Sequence, residues 1–137
     1  MTVLDAYAIV ALLRDEPSAA TVESLLVAPS SEPMISAANV AEVMDVLVRI
    51  HGRSAVEVAE RLDWLAAGGL VTIPLDDDIA RRAGALHAGH YHRARSPLSL
   101  ADCMALATAI AHDDALVTAD PPLLAAARAE RCATIAL

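Results

Sequence analysis

Four carboxylates and their nearest polar neighbours are the residues of this chain best suited to do chemistry. Asp5 closes the short apolar run Val3-Leu4, and Thr118 and Asp120 close the run that begins at Ala115. Asp102 falls in the first turn of the helix that leads into that second run, and Glu42 lies one helical turn from Asn39, on the same face. If the two runs are strands of a parallel sheet, their carboxyl ends are where such a sheet binds ligands. Carboxylates gathered there repel one another and rise in pKa unless divalent cations fill the gap. Hard cations such as Mg2+ prefer carboxylate oxygen, so the chemistry to expect is metal-assisted phosphoryl hydrolysis. Plainer roles stay open: Asp102 and Asp120 as helix caps, and Glu42 as a solvated acid on an exposed helix face.

Composition excludes several other classes. The chain has 137 residues, 56% of them hydrophobic and 20% charged, with a mean hydropathy of +0.47, which suits one domain spanning residues 1–137 around one buried core. Phenylalanine is absent and Trp64, Tyr7 and Tyr91 are the only aromatic residues, too few for an RRM-like or OB-type base-stacking surface. Every basic residue other than histidine is arginine, which removes the lysine of a Walker P-loop or a Schiff-base enzyme. The longest stretch free of charge and histidine, Trp64 to Leu75, is 12 residues, well short of the roughly 20 needed to span a bilayer. The N-terminal Met1-Thr2-Val3-Leu4-Asp5 has no basic region and no apolar signal segment, so a cytoplasmic protein is expected. Cys103 and Cys132 lack CxxC spacing and read as free core thiols.

The elements that must position the acids follow from apolar spacing. A strand at Val3-Leu4 leads into a helix marked by Ile9, Leu12 and Leu13, and Pro17-Ser18 start a second helix to about Val27. A loop from Pro29 to Pro33 precedes a strand at Met34 to Ser36. Ala37 to His51 reads as one helix striped by Val40, Val43, Leu47 and Ile50, with Gly52 as its C-cap. Ser54 and Glu57 have capping-box spacing for a helix with Val58, Leu62 and Leu65 inward, stopped by Gly68-Gly69. A strand at Leu70 to Ile73, a helix from Asp76–Asp78 to about Ala88, a helix Leu100 to His112 opened by the Ser99/Asp102 pair, and strands at 115–118 and 134–137 complete the pattern. Asp120-Pro121 reads as an N-cap followed by proline at the first position of one further helix. Strands alternating with helices predict an α/β fold with a mostly parallel sheet of about five short strands, covered on both faces.

A formal charge of −8 would repel a polyanion unless acids are neutralised or arginines are clustered. Between Ile79 and Ala101 there is no acid, while Arg81, Arg82, Arg93 and Arg95 give a local formal charge of +4 beside His87, His90 and His92. Gly89 to Pro97 reads as a solvated loop, with phosphate contact from its arginines as the functional reading and transition-metal binding by His90-x-His92 as the competing one.

These segments together resemble the PIN-domain ribonucleases, in order and length those of the VapC-type toxins of bacterial toxin-antitoxin pairs. The residues that carry the likeness are Val3-Leu4-Asp5-Ala6-Tyr7-Ala8, Asn39-Val40-Ala41-Glu42-Val43, Leu98-Ser99-Leu100-Ala101-Asp102 and Leu116-Val117-Thr118-Ala119-Asp120. The resemblance implies a PIN-like fold and a metal-dependent endoribonuclease in which Asp5, Glu42, Asp102 and Asp120 hold Mg2+ or Mn2+. It implies that Asn39 and Thr118 support those ligands, and that cleavage leaves 5′-phosphate and 3′-hydroxyl ends. Arg93 and Arg95 would then neutralise flanking phosphates of the RNA. A homodimer and a small antitoxin whose tail reaches the acids are also implied, and Val22, Leu25, Leu26, Val56 and Leu62 are apolar residues expected at such interfaces. One departure is visible: Asp120 is followed by Pro121-Pro122-Leu123, where many relatives carry a further acid or aromatic, so for Asp120 a role through water or as a cap stands beside direct ligation.

Two rivals frame the test. A phosphatase with Asp5 as nucleophile lacks a second aspartate at Tyr7 and any lysine. An interaction module would use its acids only as caps and its alanine-rich helices as docking surfaces.

Overall fold

Consecutive residues of each short strand point to opposite sides of the sheet, and this alternation builds the molecule. The computed structural model describes residues 1–28 and 32–137; Pro29, Ser30 and Ser31, part of the expected loop, lie outside the described residues. Strand β1 (Thr2–Leu4) is central, β2 (Pro33–Ser36) and β3 (Val71–Ile73) lie to one side, and β4 (Ala115–Thr118) and β5 (Thr134–Ala136) to the other. All four pairings are parallel, in the order β3-β2-β1-β4-β5.

Leu4, Ile35 and Val117 face one side, where they pack with helices α1 (Ala6–Leu13), α2 (Ala19–Val27), α3 (Ala37–Asp45) and α4 (Ala55–Ala67) through Ile9, Val22, Val43 and Val58. Val3, Met34 and Leu116 face the other side, against α5 (Asp77–His90), α6 (Leu100–His112) and α7 (Pro121–Ala129). Burying apolar strand faces on both sides is what a parallel sheet requires. In α6 the run Cys103 and Ala105 to Ala109 is buried. Its alanines therefore let a central helix lie close to the sheet and are not free for docking. No helix among the described residues is long and apolar enough to cross a membrane.

Local differences from the expected pattern have physical causes. The stretch expected as one helix to His51 leaves α-geometry after Asp45 and closes with a π-helical turn, Val46–Ile50, in which the His51 amide reaches back to the Val46 carbonyl at 3.2 Å. Gly52 follows at φ +66°, the left-handed geometry glycine adopts without strain. Ser54 precedes α4 but its side chain makes no capping hydrogen bond, and the reciprocal half of a capping box is missing too, since the Glu57 carboxylate accepts from Arg53 at 2.9 Å. Helix α5 runs on to His90, and the segment after it is a closed turn rather than an open loop: His92 and Ser96 exchange backbone hydrogen bonds, and His92 Nδ1 accepts from the amides of Ala94 and Arg95.

Candidate active site

The order of the sheet sets the place of the site. Chain order reverses at β1, with β2 on one side and β4 on the other, and ligands of open parallel sheets bind beyond the carboxyl ends of strands at such a switch. Asp5 lies immediately past β1, and Ala119 and Asp120 immediately past β4. With Ala6, Tyr7, Glu42, Asp102 and Pro121 they line one open cleft of about 400 Å³. All four acids expected from the sequence are thus brought to one cleft.

Each carboxylate is fixed by its own local structure. Asp5 caps α1, its Oδ1 accepting from the Ala8 amide at 2.9 Å, and also accepts from the Thr118 hydroxyl. Asp102 and Ser99 form a reciprocal capping box at the start of α6: Asp102 Oδ2 accepts from the Ser99 amide at 2.7 Å and Ser99 Oγ from the Asp102 amide at 3.0 Å. Asp120 caps α7 through Leu123 at 2.8 Å, ahead of Pro121 and Pro122. Capping and lining the cleft are therefore not rival roles, because a cap engages one oxygen of each carboxylate and leaves the other. Glu42 is half-buried and accepts from Asn39 Nδ2 at 3.3 Å, so it is not a solvated acid. Asn39 is fully buried and also donates to the Ala101 carbonyl at 3.4 Å, tying α3 to the turn that carries Asp102.

Electrostatics reflect the crowding. Burial pushes the Asp5 carboxyl up to about 7; the hydrogen bonds from Thr118 and Ala8 oppose this, and the charges of Asp102 and Glu42 add to it. Glu42 is also raised, by burial first and then by Asp102, with the Asn39 hydrogen bond opposing. The acids do not close on a common point: among the described residues no three His, Cys, Asp or Glu side chains are gathered so as to hold a metal ion as they stand. The donor set nevertheless fits a hard divalent cation. It consists of carboxylates whose repulsion a cation would relieve, and the buried Asn39 Oδ1 beside Glu42 has no hydrogen-bond partner. Cys103, next to Asp102, is fully buried and its thiol is pushed up to about 11 by burial and by that neighbour, so it serves the core.

Other expected residues fall elsewhere. Arg93 and Arg95 are exposed on the turn between α5 and α6, outside the cleft lining. The basic stretch is partly offset, since Arg81 pairs with Asp77 at 2.6 Å and His90 with Glu130 at 2.7 Å. Of the apolar residues expected at interfaces, Val22 is fully buried, and Leu25, Leu26 and Leu62 are half-buried against the core. Val56 is exposed, as are Val27 and Trp64, which the expectation omitted. Val27 and Trp64 edge an apolar groove between α2 and α4 that also takes in Leu12, Leu13 and Leu26. Tyr7 is the cleft residue that motif reading passed over; its position two residues past a strand-end aspartate was the available signal.

A parallel sheet with an acidic cleft at its switch point is the arrangement of an α/β domain that binds its ligand there, and a PIN domain family model matches residues 2–129. The chain belongs to the PIN domain family. It is similar to VapC ribonuclease Mb2004c of Mycobacterium bovis and to ribonuclease VapC36 of Mycobacterium tuberculosis, each 33% identical over 107 residues that cover 78% of this chain and 76% of the relative. Among solved structures it is similar to FitAcB from Neisseria gonorrhoeae, at 26% identity and a TM-score of 0.69, covering 98% of this chain and 96% of that one. It also shares its fold with Mycobacterium tuberculosis VapC20, described as a Sarcin-Ricin loop cleaving toxin, at 16% identity and a TM-score of 0.74 over 92% of this chain and 95% of that one.

Proposed function

We propose that this chain, as one nuclease domain over residues 1–137, is a divalent-metal-dependent endoribonuclease and the toxin of a toxin-antitoxin pair acting in the cytoplasm. The observation that carries this reading is the convergence of Asp5, Glu42, Asp102 and Asp120 on one cleft at the sheet's switch point. The ribonuclease and toxin-antitoxin names borne by relatives and structural neighbours support it.

Asp5, Glu42, Asp102 and Asp120 would hold Mg2+, or Mn2+ in its place, and a cation there would supply Lewis-acid activation of water and offset charge on the phosphate. The chain's own residues do the rest. Thr118 and the Ala8 amide hold Asp5 in place at the floor of the cleft. Asn39 aims Glu42 from behind, and the Ser99 cap fixes Asp102. Arg93 and Arg95, just ahead of α6, neutralise flanking phosphates on an otherwise acidic chain.

Digestion of RNA by the purified protein with and without Mg2+, followed by end-group analysis, tests the reading. Cation-dependent fragments with 5′-phosphate and 3′-hydroxyl ends are expected. A phosphorylated Asp5 with no RNA cleavage would install the phosphatase in its place, and an acid cluster whose melting temperature ignores Mg2+ would favour the interaction module. For the partners, the proposal is a homodimer and an antitoxin tail whose arginine or lysine pairs with Asp5, Glu42 or Asp102 in competition with the cation. Light scattering and a metal titration of the complex check the two parts. A strict monomer, or a complex that binds Mg2+ at full affinity, would refute the corresponding one.

A further inference from the structure

Tyr7 stands in the first turn of α1 and lines the same cleft as the four acids. Its neighbours in that lining, apart from the carboxylates, are Ala6, Ala119 and Pro121, none of which is aromatic. The other two aromatic residues are elsewhere: Trp64 is on α4 and Tyr91 follows α5. Tyr7 is 40% exposed, and its hydroxyl lies 3.5 Å from Ser18 Oγ, at the start of α2. The result is a half-exposed aromatic ring at the wall of a cleft otherwise made of acids and small residues.

A strand that offers a phosphate to the acids must also lodge its neighbouring bases. Carboxylates repel the backbone and offer nothing to a base face, whereas an aromatic side chain stacks with any base, since every base has a π-face. We propose that Tyr7 is the stacking platform for a base flanking the scissile phosphate. The inference rests on the ribonuclease reading and narrows its substrate class. A base inside a duplex has both faces covered by its neighbours, so the substrate must present an unstacked base, as single strands and loops do.

The test uses the full-length protein with Mg2+ and a random-sequence, single-stranded oligoribonucleotide pool carrying 2-aminopurine at one internal position. The fluorescence is followed by rapid mixing before cleavage, with KM and kcat measured alongside. Wild type and Tyr7→Phe should quench the 2-aminopurine to a similar extent. Tyr7→Leu and Tyr7→Ala should lose the quench and raise KM about tenfold, with a smaller change in kcat, and the same pool annealed into duplex should not be quenched. Circular dichroism confirms that each variant is folded, and Tyr7→Leu keeps apolar bulk should Tyr7→Ala perturb α1. Quenching by Tyr7→Leu equal to wild type, or Tyr7→Phe as impaired as Tyr7→Ala, overturns the stacking role while leaving the nuclease intact. A wild type that neither binds nor cleaves the pool overturns the nuclease reading and this inference together.

Discussion

The Thr118 hydroxyl donates to the Asp5 carboxylate while accepting the Asp120 amide at 3.0 Å. One side chain at the end of β4 therefore joins an acid that follows β1 to an acid that begins α7. Asp5 is buried and the Asp120 amide partly so, so removing the hydroxyl leaves each short of a partner, at a cost of about 1–3 kcal/mol. Thr118→Val should lower the melting temperature and move the acid limb of the cleavage pH profile upward, because Asp5 loses a bond that favours its ionised form. Thr118→Ser should restore both. A pH profile unmoved by Thr118→Val would show that the hydroxyl does not govern Asp5.

The raised pKa of Asp5 has a defined sign for stability. Its carboxyl binds a proton more tightly folded, at about 7, than at the ordinary value of 3.8. Stability conferred by the protonated form is complete below about pH 4 and is lost as pH rises towards 7. Without divalent cation the protein should lose on the order of 4 kcal/mol across this window, and added Mg2+ should return much of it above pH 7. Asp5→Asn should be more stable than wild type at pH 8 in chelator and should not respond to Mg2+ as strongly. Thermal melts at pH 5 and 8, with chelator or Mg2+, check this; a wild type that gains stability from pH 5 to 8 in chelator contradicts it.

Asp5→Asn, Glu42→Gln and Asp102→Asn should each abolish RNA cleavage and leave the fold intact, since each removes a ligand charge while relieving repulsion. Asp120→Asn should be the mildest, because Asp102 and Glu42, but not Asp120, contribute to the shift of Asp5. Gel assays at saturating Mg2+ decide it, and near wild-type cleavage by any of the first three removes that residue from the ligand set.

Ser99 couples a helix cap to the site. Ser99→Ala should cost about 1 kcal/mol of stability and also slow cleavage, because losing the Oγ that accepts the Asp102 amide loosens the first turn of α6, where the Ser99 amide positions the Asp102 carboxylate. Ser99→Thr should recover both. Cleavage at the wild-type rate by a destabilised Ser99→Ala would make the cap purely structural.

Replacing Arg93 and Arg95 by alanine should weaken RNA binding and flatten its dependence on salt, by about one unit of slope for each phosphate left without its arginine. Metal affinity should not change. An unaltered slope would redirect the RNA path to Arg49 and Arg53, although those are already paired with Asp45 and Glu57.

Strand and helix order can be read from the chain alone, because apolar pairs such as Val3-Leu4 and Leu116-Val117 can only be buried on both faces of a parallel sheet. So can the acids, because Asp5 and Asp120 directly follow such runs and Asp102 is marked by its Ser99 partner. Whatever depends on residues far apart in the chain waits for the packed molecule. The strand order puts β1 between β2 and β4, and only this brings Asp5 against Thr118 and makes burial, rather than any neighbour in sequence, the main influence on its proton. The link from Asn39 to Ala101 spans two helices, and the choice of Arg53 over a cap for Glu57 turns on side-chain geometry. Val22 and the alanines of α6 went inside because the sheet offered each an apolar face. Spacing within one segment encodes which face a residue occupies, but what covers that face is settled by elements that spacing does not reach.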